Sequence, residues 1–212
     1  MDDFKTAVIL AGGKSSRMGF DKQFLKIDEV KLMDKLINEL KREFQDILIV
    51  TNKPDKYGDD FSCCRIVSDE IKQKGPLSVI HIGLKESKSK YAYFVACDMP
   101  NINLDYIRYM KNELIRTEAD ACVTEQVDKV QPFNAFYSAK IFPKIEKLIM
   151  ENRRSMLALI NIINTHFIKE NIARRYDGNL YMFLNLNTQE DVMKYSNCLL
   201  YTSDAADEGL GV

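Results

Sequence analysis

The chain is poor in the residues that most often mark a reactive centre. Only two histidines, His81 and His166, occur in 212 residues. Neither lies in a recognisable catalytic context, so both read as structural and no histidine-centred acid–base chemistry is expected. The five cysteines, Cys63, Cys64, Cys97, Cys122 and Cys198, are odd in number and form no C-x-x-C pair. That argues against a disulfide or zinc framework and for reduced thiols, some of them buried. No apolar run is long enough to span a bilayer, and the N-terminus lacks the apolar core of a signal peptide, so a cytoplasmic location without membrane contact is expected. Charge is balanced, with Lys+Arg 30 against Asp+Glu 31 and a net charge of −1. No global field favours nucleic acid, and any affinity for phosphate must come from a local cluster. Internal repeats and low-complexity linkers are also missing.

Two familiar phosphate loops are missing as well. Gly13-Lys14-Ser15 supplies the end of a Walker A loop, but the glycine required five residues earlier is Val8. Gly12-Gly13 does not provide the G-x-G of the dinucleotide fingerprint.

What is present begins with an apolar run, Thr6–Leu10, followed by Ala11-Gly12-Gly13-Lys14-Ser15-Ser16-Arg17-Met18-Gly19-Phe20-Asp21-Lys22. The run reads as a buried strand. Two glycines at its end let the backbone turn sharply and bring N–H groups close to an anion. Lys14, Arg17 and Lys22 can neutralise phosphate oxygens, Arg17 through two parallel hydrogen bonds. A strand that ends this way describes a polyphosphate site.

Length and a 46% hydrophobic, 29% charged composition fit one α/β domain with a substantial core. Apolar runs alternate with helical periodicity, which predicts a mainly parallel sheet covered by helices. Strands are expected at 46–51, 65–68, 91–97, 119–124, 132–137, 166–169 and 180–184. A helix should carry the stripe Met33, Leu36, Ile37, Leu40 and Phe44. Others are expected from Pro76, a residue suited to a first helical position, from about Asn103, over 139–151 and 154–163, and from Thr188 as a cap. Residues 198–212 resemble the translation of a sequencing-library adapter and read as a non-native tail. Setting aside their three acids, Asp204, Asp207 and Glu208, takes the formal charge from −1 to +2 over residues 1–197.

Open α/β sheets place ligands at the carboxyl ends of their strands. Gly12-Gly13, Asn52, Asp69 and Asp98 all fall just past expected strands, so four segments converge on one crevice. Asp98 ends the strongest apolar run, where its backbone is fixed. A carboxylate there suits magnesium, which takes one or two carboxylates plus substrate phosphates. The same Asp could instead cap the following helix.

The string from Leu10 to Lys22 resembles the signature of the molybdenum cofactor guanylyltransferases. These are nucleotidyltransferases of a GT-A-like, Rossmann-like three-layer α/β/α fold. The resemblance runs from about Lys5 to Asn197 and implies a single nucleotidyltransferase domain over residues 1–197. Cys97-Asp98-Met99-Pro100 resembles the family's C-D-x-P motif, and Asn185-Leu186-Asn187-Thr188 its closing N-x-N-T motif. The resemblance implies transfer of GMP from GTP to molybdopterin with release of pyrophosphate, and Mg2+ as cofactor held by Asp98. Arg17, Lys22 and Asp98 would be catalytic. Leu10, Ala11, Gly12, Gly13, Lys22, Asn52, Asp69 and Asp98 would bind GTP and the metal. Asn185, Asn187 and Arg153 would face the acceptor. Cofactor-delivery proteins and acceptor molybdoenzymes are the implied partners. Val79 departs from the family pattern, standing where a glycine is usual. A cytidylyltransferase, a sugar-phosphate nucleotidyltransferase and a non-catalytic nucleotide-binding module remain as alternatives. The Gly12-Gly13 pair and Asp21-Lys22 favour guanine over cytosine, and intact Arg17, Lys22 and Asp98 favour an enzyme.

Overall fold

In the computed structural model of the chain, residues 3–11, 26–27, 30–58, 61–68, 75–188, 190–193 and 195 are described. Gly12, Gly13, Lys14, Arg17, Lys22, Asp69 and the tail from residue 198 lie outside them.

Strands β1 (Thr6–Leu10), β4 (Asp46–Thr51) and β6 (Tyr91–Ala96) form the centre of a seven-stranded sheet. β2 (Lys26–Ile27) and β3 (Val30–Lys31) make a separate two-stranded ribbon. The main sheet is completed by β5 (Arg65–Ser68), β7 (Ala121–Glu125), β8 (Val130–Ser138) and β9 (Thr165–Lys169), in the order β5-β4-β1-β6-β8-β7-β9. β5, β4, β1 and β6 run parallel. β8 runs antiparallel to both β6 and β7, and β7 pairs in parallel with β9. The sheet is therefore mainly parallel, as the alternating pattern predicts.

Helices α1 (Leu32–Lys41), α2 (Pro76–Glu86), α3 (Leu104–Thr117), α4 (Phe142–Met150), α5 (Met156–Ile160) and α6 (Glu170–Ala173) connect the strands. Two apolar clusters, one on each sheet face, give three layers. Ala7, Ile9, Ile47, Ile49, Tyr93 and Val95 point to the face covered by α1 and α3. Val8, Leu10, Leu48, Val50, Ala92 and Phe94 point to the face covered by α2, α4 and α5. The alternation follows from the two-residue period of a strand. Because both faces are covered, the central strands are apolar throughout. Val79 packs into the second cluster and is buried.

The end of the chain departs from expectation. Leu180–Leu184 reads as a closing strand, but Tyr181–Phe183 form a 3-10 turn. Leu180 adopts a left-handed backbone with φ 57°, and the Asp177 carboxylate accepts the Met182 amide at 2.7 Å. The apolar residues of this run pack as a turn on the α1–α3 face instead of pairing in the sheet. Among the described residues, no helix is long and apolar enough to cross a membrane.

Candidate active site

The carboxyl ends of β1, β4, β5 and β6 share one edge of the sheet, because these strands are parallel neighbours. At the centre of that edge, the Leu10 carbonyl accepts the Cys97 amide at 3.0 Å, while the Ala11 amide donates to the Val50 carbonyl at 2.9 Å. The peptide between Leu10 and Ala11 is thus clamped by both neighbouring strands. It fixes the main chain at the carboxyl end of β1. Both side chains are buried, on opposite faces of the sheet.

Asp98 sits one position further along. The Met99 amide donates to the Ala96 carbonyl at 3.0 Å, so Cys97 and Asp98 occupy the middle of a tight turn. The Asp98 side chain is half-buried. Its own carbonyl accepts the Leu186 amide at 2.9 Å. That bond brings the Asn185-Leu186-Asn187 segment, distant in sequence, against the end of β6. Leu186 is fully buried with Leu32 and Tyr195, Asn185 is half-buried and Asn187 is exposed. Asn185 donates to the Phe183 carbonyl at 3.2 Å.

The expected cap at Thr188 is present. The Thr188 hydroxyl accepts the Asp191 amide at 3.1 Å, and the Asp191 carboxylate accepts the amides of Asn187 and Thr188 at 2.9 and 2.8 Å. This reciprocal pairing at a helix start is a capping box with aspartate in the acidic position.

Asn52 is exposed at the end of β4, in a turn fixed by the Lys53 amide donating to the buried Thr51 hydroxyl at 3.1 Å. Arg153 is exposed between α4 and α5 and lies 3.8 Å from Glu151. The Arg65 guanidinium, at the amino end of β5, reaches the Glu86 carbonyl at the end of α2 across 2.7 Å. The start of α2 therefore lies at the opposite, carboxyl edge. Gly75 there has φ 73°, and a Cβ on it would sit 3.8 Å from the Arg154 carbonyl. The Arg153-Arg154 pair is thus carried to the same edge of the sheet as Asp98, on the α2 side.

Three residues without a motif complete the frame. Lys35 Nζ donates to the Tyr195 hydroxyl at 2.7 Å, and that hydroxyl donates to Asn101 Oδ1 at 3.1 Å. Asn101 Nδ2 in turn donates to the Tyr181 carbonyl at 3.1 Å. The relay joins α1, the segment after Asp98, the turn at 181 and the last described helical residue. No local pattern reveals it, because its members are separated by up to 160 residues. Asn134 is a fourth such residue. It is buried in β8 with φ 56°, accepts from the Tyr93 hydroxyl and donates to the Met182 carbonyl at 3.0 Å. A buried polar residue inside an apolar strand was the available signal.

A doubly covered, mainly parallel sheet with a glycine-rich sequence after β1 and a carboxylate at the end of the adjacent β6 defines an α/β protein of the Rossmann-like class with a crevice at the carboxyl ends of its strands. The chain belongs to the family of the MobA-like NTP transferase domain, whose model matches residues 7–166. It is 48% identical over 192 residues to the molybdenum cofactor guanylyltransferase of Syntrophotalea carbinolica, covering 91% of this chain and 90% of that protein. It is 44% identical over 200 residues to the probable molybdenum cofactor guanylyltransferase of Peptoclostridium acidaminophilum, covering 91% and 89%. In structure it is similar to the molybdopterin-guanine dinucleotide biosynthesis protein A of Archaeoglobus fulgidus. That match has a TM-score of 0.80 at 22% identity, over 92% of this chain and 99% of that one. The 4-diphosphocytidyl-2C-methyl-D-erythritol synthase of Anaerococcus prevotii shares the fold with a TM-score of 0.70 at 16% identity, over 94% and 96%.

Proposed function

We propose that this chain transfers GMP from GTP to molybdopterin, releasing pyrophosphate and forming the guanine dinucleotide cofactor. The observation that carries the reading is the hydrogen bond from Leu186 to Asp98, which joins the closing motif to the end of β6 beside the exit of β1. The Asp98 motif and the closing motif, far apart in sequence, meet beside the carboxyl end of β1, which supports a two-substrate site. The 48% identity to a guanylyltransferase over nine-tenths of both chains supports the choice of reaction.

In the reaction, a phosphate oxygen of molybdopterin attacks the α-phosphorus of GTP. The bond to the bridging oxygen breaks and pyrophosphate leaves. The attacking oxygen is already ionised at neutral pH, so no strong general base is needed, in keeping with the scarcity of histidine. Catalysis rests on positioning two polyanions and on fixed charge around the transferring phosphoryl group. Arg17 and Lys22 would supply that charge, and the main chain from Leu10 to Gly13 would turn around the nucleotide. Asn52 and Asp69 would contact GTP. Asn185, Asn187 and Arg153 would face the pterin.

The donor chemistry at Asp98 fits magnesium. Asp98 is a hard oxygen donor, half-buried, on a backbone held by hydrogen bonds on both sides. Among the described residues no cluster of three His, Cys, Asp or Glu forms an all-protein cage, and Mg2+ is commonly held by one or two carboxylates together with substrate phosphates. Asp98 would hold the ion, which when bound supplies charge neutralisation at the phosphate oxygens. Proteins that deliver molybdopterin and molybdoenzymes that receive the product are the corresponding partners.

The test is calorimetric titration with GTP, CTP and ATP, each with and without magnesium, followed by chromatography of products after adding molybdopterin. Magnesium-dependent selectivity for GTP and formation of the guanine dinucleotide are expected. A preference for CTP would move the assignment to a cytidylyltransferase, and nucleotide binding without turnover to a non-catalytic module.

A further inference from the structure

The amino edge of the sheet, opposite the candidate active site, carries a second constellation. Cys63 and Cys64 lie in the turn leading into β5, with their Sγ atoms 3.7 Å apart. Cys63 is exposed and Cys64 half-buried. Lys41, in the last turn of α1, acts on the Cys63 thiol and lowers its pKa. The turn is pinned at both ends. The Cys64 amide donates to the Phe61 carbonyl at 2.9 Å. The next residue, Arg65, grips both carboxylate oxygens of Asp46 at 2.8 Å. The two sulfurs are therefore held as neighbours by surroundings that do not depend on them.

The two thiols are not equivalent. The hydrogen bond from Lys41, helped by its charge and by a hydrogen bond with Cys64, holds the Cys63 thiol below its usual range despite some burial. Burial pushes the Cys64 thiol up to about 12, and the hydrogen bond with Cys63 acts in the same direction. An exposed sulfur that gives up its proton more readily than the sheltered sulfur beside it suits thiol–disulfide exchange, in which a thiolate attacks and a neighbouring thiol resolves.

We propose that Cys63 and Cys64 form an exchange site for small-molecule disulfides, with Cys63 as the attacking and Cys64 as the resolving sulfur. The Cys63 thiolate attacks one sulfur of a disulfide R–S–S–R, breaking its S–S bond, forming Cys63–S–S–R and releasing R–S⁻. Cys64 then loses its proton to solvent and attacks Cys63 Sγ. A Cys63–Cys64 disulfide forms and the second R–S⁻ leaves. Two protein thiols are oxidised and one external disulfide is reduced to two thiols. Adjacent Cα atoms are only about 3.8 Å apart across a trans peptide, shorter than the roughly 4.4–6.8 Å that disulfides prefer. The product bond is therefore strained and easily reduced, which makes the modification reversible.

The test treats the reduced full-length protein with oxidised glutathione at neutral pH without oxygen, and maps the products by peptide mass spectrometry. Cys63 in the folded protein is expected to react about tenfold faster than in the urea-unfolded chain, and Lys41→Met should remove most of that advantage. Cys64→Ser should accumulate the Cys63–glutathione adduct, whereas the unmodified sequence passes on to the Cys63–Cys64 disulfide. GMP transfer should be unchanged in both variants, since neither residue lies at the carboxyl edge. Equal rates in folded and unfolded protein, or no effect of Lys41→Met, would overturn the attacking role. Adduct accumulation in the unmodified sequence equal to that of Cys64→Ser would overturn the resolving role.

Discussion

The Leu186 amide donates to the Asp98 carbonyl across 2.9 Å, while the Leu186 side chain is fully buried with Leu32 and Tyr195. One residue is thus held from two directions. Its backbone fixes the turn that presents Asp98, and its side chain anchors the closing segment to the start of α1. α1 is the first helix after β1 among the described residues, so this small apolar cluster ties the closing segment to the element that follows β1. The bond to Asp98 also uses only main chain, so this contact is separate from the chemistry of the aspartate's carboxylate.

That separation makes Asp98→Asn informative. The substitution keeps the size and both backbone hydrogen bonds but removes the charge that would hold magnesium. GMP transfer should fall on the order of 10²–10³-fold, the usual cost of losing one element of transition-state charge stabilisation. Steady-state kinetics at several magnesium concentrations provides the check. Unaltered turnover would mean that Asp98 does not hold the metal.

Tyr195→Phe tests the frame around the site. The change removes the hydroxyl that joins Lys35 to Asn101 and leaves the ring in its apolar cluster. Loss of two part-buried hydrogen bonds should cost about 1–2 kcal/mol of stability. It should also raise the KM for the acceptor more than it lowers kcat, because the relay touches the closing segment and not Asp98 itself. Asn101→Ala should reproduce the effect, and the double variant should be little worse than either single one, as residues in one network are not additive. Full additivity would show that the two residues act independently.

The sequence made the centre of this fold plain for a physical reason. β1, β4 and β6 are buried on both faces, so each appears as an unbroken apolar run, and the observed bounds Thr6–Leu10 and Asp46–Thr51 match the expected ones. The Thr188 cap was legible because its partner Asp191 lies three residues away. Leu180–Leu184 was misread because an apolar run does not say whether its residues are buried by pairing in a sheet or by a turn folded against one. The decisive contact, Asp177 with Met182, is a side chain capturing an amide. The site divides along the same line. Asp98 and the asparagines at 185 and 187 belong to short motifs and could be named. Lys35, Asn101 and Tyr195 act only through contacts that folding creates.

Acid should weaken the fold through two buried-edge carboxylates. Burial alone would raise the Asp46 carboxyl, but hydrogen bonds from Arg65 and Thr6 and the charges of Arg65 and Lys88 outweigh it and hold the group below its usual range. Asp120 behaves likewise, with burial opposed by Lys140, the Asn164 amide and the Lys144 charge. A depressed carboxyl in the folded state contributes stability that is present above its unfolded value, near 3.9, and is lost as pH falls through the folded one. Denaturation midpoints should therefore be flat with respect to these groups near neutrality and decline below about pH 4. Asp46→Asn should flatten part of that decline and lower stability at neutral pH, where Arg65 loses its charged partner. An acid limb identical in this variant would remove Asp46 from the account.

Gly83 on α2 offers a test of the packing that sets the sheet edge. A Cβ there would lie 2.5 Å from Cε1 and 2.9 Å from Cζ of Phe94, and 3.0 Å from Cγ1 of Val8. Glycine inside a helix costs about 1 kcal/mol relative to alanine, so Gly83→Ala would stabilise an uncrowded helix by roughly that amount. Here the crowding atoms belong to a fully buried ring and a fully buried valine in central strands, and neither can withdraw toward solvent. Overpacking of this kind costs about 1–3 kcal/mol, which outweighs the helical gain, so a net loss of stability is expected. Phe94→Leu alone should also destabilise, by leaving a void. Combined with Gly83→Ala it should recover part of the loss, because the smaller side chain frees the space that the new methyl needs. Urea denaturation of the two single variants and the pair measures that coupling, and a stabilised Gly83→Ala would show that α2 can shift away from β6 without cost.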